Sequence, residues 1–389
     1  MLSMKETIVF SILTQVCDGK LGLDEACERL QIHRSTLWRR LVRFRESGLK
    51  SVRHALKGRA SNHSHSSLLQ KSVVDLYRQK YLPHDFGIRH FYQIAAADFI
   101  SPVAYSTVVR WLRAAGLRKP AHKGRKHHSR RPRRALFGEM LQMDTSIHDW
   151  FGIGEKYALV SCIDDATSFI CGAYLAHRDT TLANMTVLKQ VIQTYGAFAS
   201  LYVDKSPIFK VTRTGGYGRI NQPRYLTKYV TQVQRALEEL GIEKIHAHSP
   251  QAKGRIERSY KTLQQRLVPE FKFHKIHTLD KANDYLKNHF IKEHNRLYAK
   301  NPNDFASAFV PLNAAANLDE ILCEKHECNV TNDHIVESKT RNILLKILPS
   351  KNRLSYAKAK VTVYKTTEGT LKVKYKNQNL NFTNLNPTT

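Results

Sequence analysis

The chain has 389 residues, with 62 lysines and arginines against 33 acids, a formal charge of +29 and a pI near 9.9. That length exceeds one ordinary core and suggests two to four domains, while 42% hydrophobic residues suffices for globular folding. So positive a field attracts polyanions. Nucleic acid is therefore the expected partner, rather than a membrane surface, which would call for a Lys/Arg-flanked amphipathic helix rich in bulky aromatics.

Charge is concentrated early: residues 1–135 hold 27 Lys and Arg against 9 Asp and Glu. The start, MLSMKETIVF, carries Glu6 and is unlike a signal peptide, and no stretch approaches the roughly 20 apolar residues of a membrane span. Six cysteines, at 17, 27, 162, 171, 323 and 328, form no Cys-x-x-Cys pair and are too sparse for a disulfide scaffold. A reduced, bacterial-type cytoplasm with nucleoid association is the expected setting, with no membrane partner.

Residues 1–60 read as a helix-turn-helix domain. Asp24 is placed as the cap of a helix through Leu30, a break follows at Gln31-Ile32-His33, and Ser35 is placed as the cap of a second helix through Phe44 that Gly48 closes. Leu37, Leu41 and Phe44 repeat at helical spacing toward a core. Arg34, Ser35, Arg39, Arg40 and Arg43 are left for phosphates or base edges. Residues 61–120 read as a second, similar unit, with helices over 68–81, 87–99 and 103–115.

Residues 121–136 form a basic linker, in which AHKGRKHHSRRPRR carries Lys123, Arg125, Lys126, Arg130, Arg131, Arg133 and Arg134 and no acid. Such a segment is too polar to bury a core, and is expected to lie along phosphate backbone with salt-sensitive, sequence-independent affinity.

From residue 137 to 300 the periodicity predicts three short strands (141–144, 157–163, 169–175), a helix over 181–195 and a strand over 200–203. A helix near 227–240, a strand over 242–245 and a helix from Gln251 follow. Asp144 and Asp204 end or interrupt apolar, strand-like runs, and Glu257 opens an amphipathic helix. Three carboxylates brought together in this way suit Mg²⁺ or Mn²⁺, because such hard cations take oxygen ligands. A pair of ions so held activates a nucleophile and stabilises the leaving oxygen of a phosphodiester displacement. Asp164 and Asp165, in the turn Asp-Asp-Ala-Thr, are read as turn caps rather than ligands. His246 and His248 are read as structural or solvated.

The segments MDTSIHDWF, YVDKSPIF and SPQAKGRIERSYKTLQQRL resemble the catalytic core shared by retroviral integrases and DDE transposases, in particular the integrase-type transposases of the ISNCY insertion-sequence group. The resemblance implies a ribonuclease-H-like α/β core between N-terminal all-α helix-turn-helix units and a small C-terminal β domain. It also implies a catalytic, metal-binding triad of Asp144, Asp204 and Glu257. The expected activity is end cleavage and strand transfer by a multimer, at least a homodimer, holding element ends and target DNA.

The 53 residues from Asp204 to Glu257 exceed the spacing of compact integrases, and 209–225, with its Gly and Pro punctuation, is assigned as an inserted loop that contacts DNA. Where the family has Asn-Gly after the second Asp, this chain has Lys205-Ser206. Lys205 is either a phosphate contact or a solvated loop residue. Lys253, Arg255, Arg258 and Lys261 flank Glu257 as candidate phosphate grips or as a solvated helix face. A non-catalytic DNA-binding regulator and a nuclease without strand transfer are the competing functions.

Residues 301–389 read as a linker and a small β barrel or sheet, with alternating segments from about Asn342. Lysines 358, 360, 365, 372, 374 and 376 either bind DNA non-specifically or keep an edge-rich sheet soluble. Cys323, His326 and Cys328 lack the second ligand pair of a zinc site.

Overall fold

The computed structural model describes residues 3–53, 64–117, 132–210, 230–247, 254–313, 316–338, 343–350 and 353–385. The chain divides into two compact units, Met1–Lys71 and Ser72–Thr389. No helix among the described residues is long and apolar enough to cross a membrane.

In the first unit, α1 (Met4–Cys17), α2 (Leu23–Leu30), α3 (Arg34–Ser47) and α4 (Leu49–Val52) enclose Ile12, Leu13, Leu21, Ala26, Leu37 and Leu41. Two caps differ from expectation. The N-cap of α2 is Gly22, and Asp24 sits inside the first turn, where its charge meets the positive end of the helix. The N-cap of α3 is His33, because its Nδ1 already accepts from the Ser35 N–H (3.3 Å) and leaves Ser35 inside the helix. Gly48 closes α3 at φ 52°, as its position predicted.

The second unit opens with the part of α5 (Ser67–Leu76) beyond Lys71, which continues through a π turn, Tyr77–Tyr81, and is followed by α6 (Ile88–Ala95) and α7 (Tyr105–Ala114). These helices carry a buried aromatic set, and the Tyr81 ring stacks on Phe273 at 5.5 Å. Residues 72–117 are therefore packed in one unit with the central domain.

The centre of that unit is a five-stranded sheet of order β3-β2-β1-β4-β5, formed by β1 (Met140–His148), β2 (Tyr157–Asp164), β3 (Ile170–Ala176), β4 (Ser200–Val203) and β5 (Glu243–His246). β1, β2 and β3 are antiparallel neighbours, while β1–β4 and β4–β5 run parallel. α8 (Thr181–Tyr195) and α9 (Gln232–Glu239) cover one face, on a core that includes Leu141, Met143, Val160, Leu201 and Val203. α10 (Gly254–Phe273), α11 (Leu279–Tyr285) and α12 (Ile291–Tyr298) cover the other, on Leu159, Ile163, Ala173 and Leu175. Alternation along each strand divides these two sets between the two faces.

α8 spans the predicted range, with Thr180 accepting from Ala183 N at its start and Gly196 at its end. α9 has Thr231 as its N-cap, so the helix is shorter than the range 227–240. The proposed loop at 209–225 lies outside the described residues from 211 onward.

After α12 and the short α13 (Leu318–Ile321) come two antiparallel sheets around one apolar core. One has the order β11-β10-β9-β6, from β6 (Cys323–Asn329), β9 (Lys360–Thr366), β10 (Leu371–Tyr375) and β11 (Gln378–Leu380). The other has the order β12-β8-β7, from β7 (Ile335–Ser338), β8 (Ile343–Ile347) and β12 (Phe382–Asn384). Strands thus begin about twenty residues before Asn342. β6, CEKHECN, escapes sequence reading because only Cys323 and His326 are buried and the rest of it is polar.

Candidate active site

The parallel register between β1 and β4 pairs Met140 with Ser200, Leu141 with Leu201 and Gln142 with Tyr202, a constant offset of 60 residues. Asp144 and Asp204 are separated by the same 60 residues. Carried two residues past the ladder, which ends at Gln142, the same offset sets Asp144 level with Asp204, the residue that follows the last of β4. Because Leu141 and Met143 face α8, alternation turns Gln142 and Asp144 toward α10.

Asp144 is half-buried opposite Ser161 of β2, and its carbonyl accepts a hydrogen bond from the Tyr260 hydroxyl. Burial and the Asp144 charge push the Tyr260 phenol well up, which keeps it a donor. Asp204 Oδ1 accepts from Ser206 N (2.9 Å), and its carbonyl accepts from His246 Nδ1 (3.1 Å). Burial pushes the His246 pKa down, and Lys244, Lys210 and Lys205 add to that shift, so the imidazole beside Asp204 is held neutral in a locally positive setting. His246 thus has a structural contact of its own at the site, whereas His248 lies outside the described residues.

Glu257 is exposed in the first turn of α10 and makes no hydrogen bond or ion pair among the described residues. Nor does any group of three His, Cys, Asp or Glu side chains among those residues lie close enough together to hold a metal ion.

The neighbouring acids are fully employed. Asp164 accepts from Gly138 N (3.0 Å), Thr167 N (2.8 Å) and Thr167 Oγ1 (2.7 Å), and burial still pushes its pKa up. Gly138 is required there: its φ is 86°, and a side chain would strike the Phe309 ring. Asp165 accepts from Gln142 Nε2 (2.5 Å), Arg134 N (2.9 Å) and Arg255. The two aspartates thus tie the β2–β3 turn to β1 and to α10.

The candidate DNA contacts divide accordingly. Arg34, Ser35, Arg39, Arg40 and Arg43 are exposed on α3, with Arg34 3.4 Å from Asp24 and Arg39 Nε donating to Ser35 O (3.2 Å). Lys205, Arg258 and Lys261 are exposed around the acids. Arg255 and Arg133 are turned inward: Arg255 pairs with Asp165, and Arg133 donates to the Asp165 and Ala166 carbonyls (2.9 Å each) and to Ser168 Oγ (2.8 Å). Arg134 lies 3.3 Å from Glu139. Lys123, Arg125, Lys126, Arg130, Arg131 and Lys253 lie outside the described residues. Sequence reasoning missed Tyr260 and Gln142; the available signals were a tyrosine three residues after Glu257 and a lone amide inside the apolar run MLQM.

Three antiparallel strands, two further parallel strands and helices on both faces form a mixed α/β core, with acids on β1, after β4 and at the start of α10. The chain is 30% identical over 332 residues to "Putative transposase y4bF" of Sinorhizobium fredii (strain NBRC 101917 / NGR234), a match covering 84% of this chain and 69% of that protein. It is 28% identical over 316 residues to the transposase for insertion sequence IS1202 of Streptococcus pneumoniae, covering 73% and 66% respectively. The chain thus spans about two thirds of the length of these relatives, and it belongs to the transposases. No protein-family model matches it.

Among solved structures it is similar to the HTLV-2 integrase catalytic core in complex with magnesium, at 15% identity and a TM-score of 0.28 over 38% of this chain and 82% of that one. It is also similar to a simian T-cell lymphotropic virus intasome in complex with a PP2A regulatory subunit, at 13% identity and a TM-score of 0.32, over 75% and 98%.

Proposed function

We propose that this transposase binds the ends of its insertion sequence, hydrolyses a phosphodiester there to free a 3′ hydroxyl, and joins that hydroxyl to target DNA. The observation that carries the reading is the shared 60-residue offset of Asp144 and Asp204, with Glu257, which has no partner among the described residues, on the helix that covers the same face. Their oxygen donors suit Mg²⁺ or Mn²⁺, two ions in all. Asp144, Asp204 and Glu257 would hold them, although the three do not form a ready cluster among the described residues. Such ions, when bound, activate the attacking oxygen and stabilise the leaving one.

The protein's own residues supply position. Lys205, Arg258 and Lys261 are exposed beside the acids and are assigned to the phosphates flanking the scissile bond. In the first unit, α2 and α3 form a helix-turn-helix, with the arginines of α3 in the major groove of the element end. The two C-terminal sheets act as one small barrel-like module that holds DNA backbone through its lysines. Two ends must be held together for joining, so the working form is a multimer.

The test incubates the protein with labelled element ends, target DNA and Mg²⁺ or Mn²⁺, and resolves cut from joined products. Both products are expected, and Asp144→Ala or Asp204→Ala should reduce both to the detection limit while end binding persists. Binding without metal-dependent cutting would identify a regulator, and cutting without joining a nuclease.

A further inference from the structure

α10 is fastened to β1 by polar contacts that recur at matched intervals. At the first, Asp165 accepts from both Gln142 of β1 and Arg255 of α10. At the second, the buried Tyr260 hydroxyl donates to the Asp144 carbonyl and accepts from Ser161 Oγ (2.9 Å), directly across from Asp144. At the third, Gln264 Nε2 donates to Ser146 Oγ (3.2 Å). Gln142, Asp144 and Ser146 are alternate residues on one face of the strand, a step of about 6.7 Å. The helix advances five and then four residues between these contacts, a rise of about 7.5 and then 6 Å, so helix and strand stay nearly in step from one contact to the next. Glu257, Tyr260 and Gln264 fall at i, i+3 and i+7, on one stripe of α10. Glu257 therefore lies on the stripe of Tyr260 and Gln264, between the first two contacts in sequence, and is exposed.

We infer that Tyr260, supported by Arg255 with Asp165 and Gln142, is a positioning residue that fixes the height of Glu257 against Asp144 and so sets cation affinity. It touches neither ion nor DNA. It acts by holding the backbone of one acid and the helix of another in register, as outer-shell partners of metal ligands commonly do. This deepens the proposed function and rests on it. It also gives Arg255 a different task from its exposed neighbours Arg258 and Lys261.

The experiment uses the full chain and Mn²⁺ alone as probe, measuring free Mn²⁺ by electron paramagnetic resonance, together with end cleavage, end binding and thermal melting. Tyr260→Phe keeps the ring in the core and removes only the hydroxyl. It is expected to raise the half-saturating Mn²⁺ concentration and lower the cleavage rate by about 10-fold or more, the range seen for outer-shell substitutions, with end binding unchanged. Gln264→Ala, at the outermost contact, should shift both in the same direction by less, and keeps the idea testable if Tyr260→Phe folds poorly. A variant that melts lower but binds Mn²⁺ and cuts like wild type would overturn the positioning role and leave only a structural one. If wild type itself neither binds Mn²⁺ through Asp144, Asp204 and Glu257 nor cuts, the parent reading has failed instead.

Discussion

Two glutamates on α10 have opposite surroundings. Glu270, 6% exposed, accepts from His90 Nε2 (2.6 Å) and the Tyr285 hydroxyl (2.9 Å), and lies 3.8 Å from Arg266 Nη2. Those contacts join α6, α10 and α11, and burial together with the Glu270 charge pushes the Tyr285 phenol up, so it stays a donor. Glu257, at the other end of the helix, is exposed and has no partner among the described residues. A buried charge is tolerated only when paired and hydrogen-bonded, so Glu270 is committed to the fold. An acid at the edge of the core that no described residue neutralises is available to a cation.

The largest effect expected from this contrast is a loss of function without a loss of structure. Glu257→Ala should abolish end cleavage while changing unfolding free energy by less than about 0.5 kcal/mol, the usual range for a surface substitution. Glu270→Ala should do the reverse, costing about 3–5 kcal/mol because it leaves the buried Arg266 charge without its carboxylate and the buried His90 ring without its acceptor. Activity should then fall only with the folded fraction. Denaturant melts beside cleavage assays decide it: a destabilising Glu257→Ala or an inert Glu270→Ala would erase the distinction.

Much of the core was readable in the chain itself. Apolar runs closed by Asp144 and Asp204, and a helix framed by Thr180 and Gly196, follow from alternation and capping alone. The match between the 60-residue spacing of the two acids and the β1–β4 offset becomes visible only when the pairing is known. Side-chain partners were less accessible still. Arg255 and Arg258 look alike in GRIERSY, yet one meets a buried aspartate and the other solvent. His33 displaced Ser35 as a cap by supplying an imidazole acceptor two residues earlier. The opening strand of the C-terminal sheets was hidden by its own polarity, since β6 buries only two residues and its neighbours complete its core.

Next in size is a pH effect at the Glu270 end of the helix. Burial, then the Arg266 charge, push His294 down to about 4. Its folded pKa lies below the unfolded value, so the native imidazole stays neutral while the unfolded chain takes up a proton as pH falls from about 6.5 to 4. The stability associated with it is complete above that window and lost through it, about 3 kcal/mol by its lower edge. Acidification also removes stability held by Glu239 and Glu293, whose ion partners keep their pKa values low against the opposing effect of burial, so the measurement is a difference. Melts of wild type and His294→Phe from pH 7 to 4.5 should show the variant losing less. Parallel curves would mean that His294 takes up its proton without unfolding.

The smallest effect concerns the cations, which divide as the acids do. Arg40 and Arg43 are exposed on α3, whereas Arg255 is paired with Asp165 at the foot of α10. Each guanidinium that neutralises a phosphate releases counterions, so removing one flattens the dependence of log affinity on log salt by about 0.9. Arg40→Ala and Arg43→Ala should each show that change with modest loss of affinity at low salt. Arg255→Gln should leave the slope where it was, because its charge is already met inside the protein. End-binding titrations over a salt series separate the two kinds. A flattened slope for Arg255→Gln would return that residue to the DNA interface and leave Tyr260 and Gln264 to hold the helix alone.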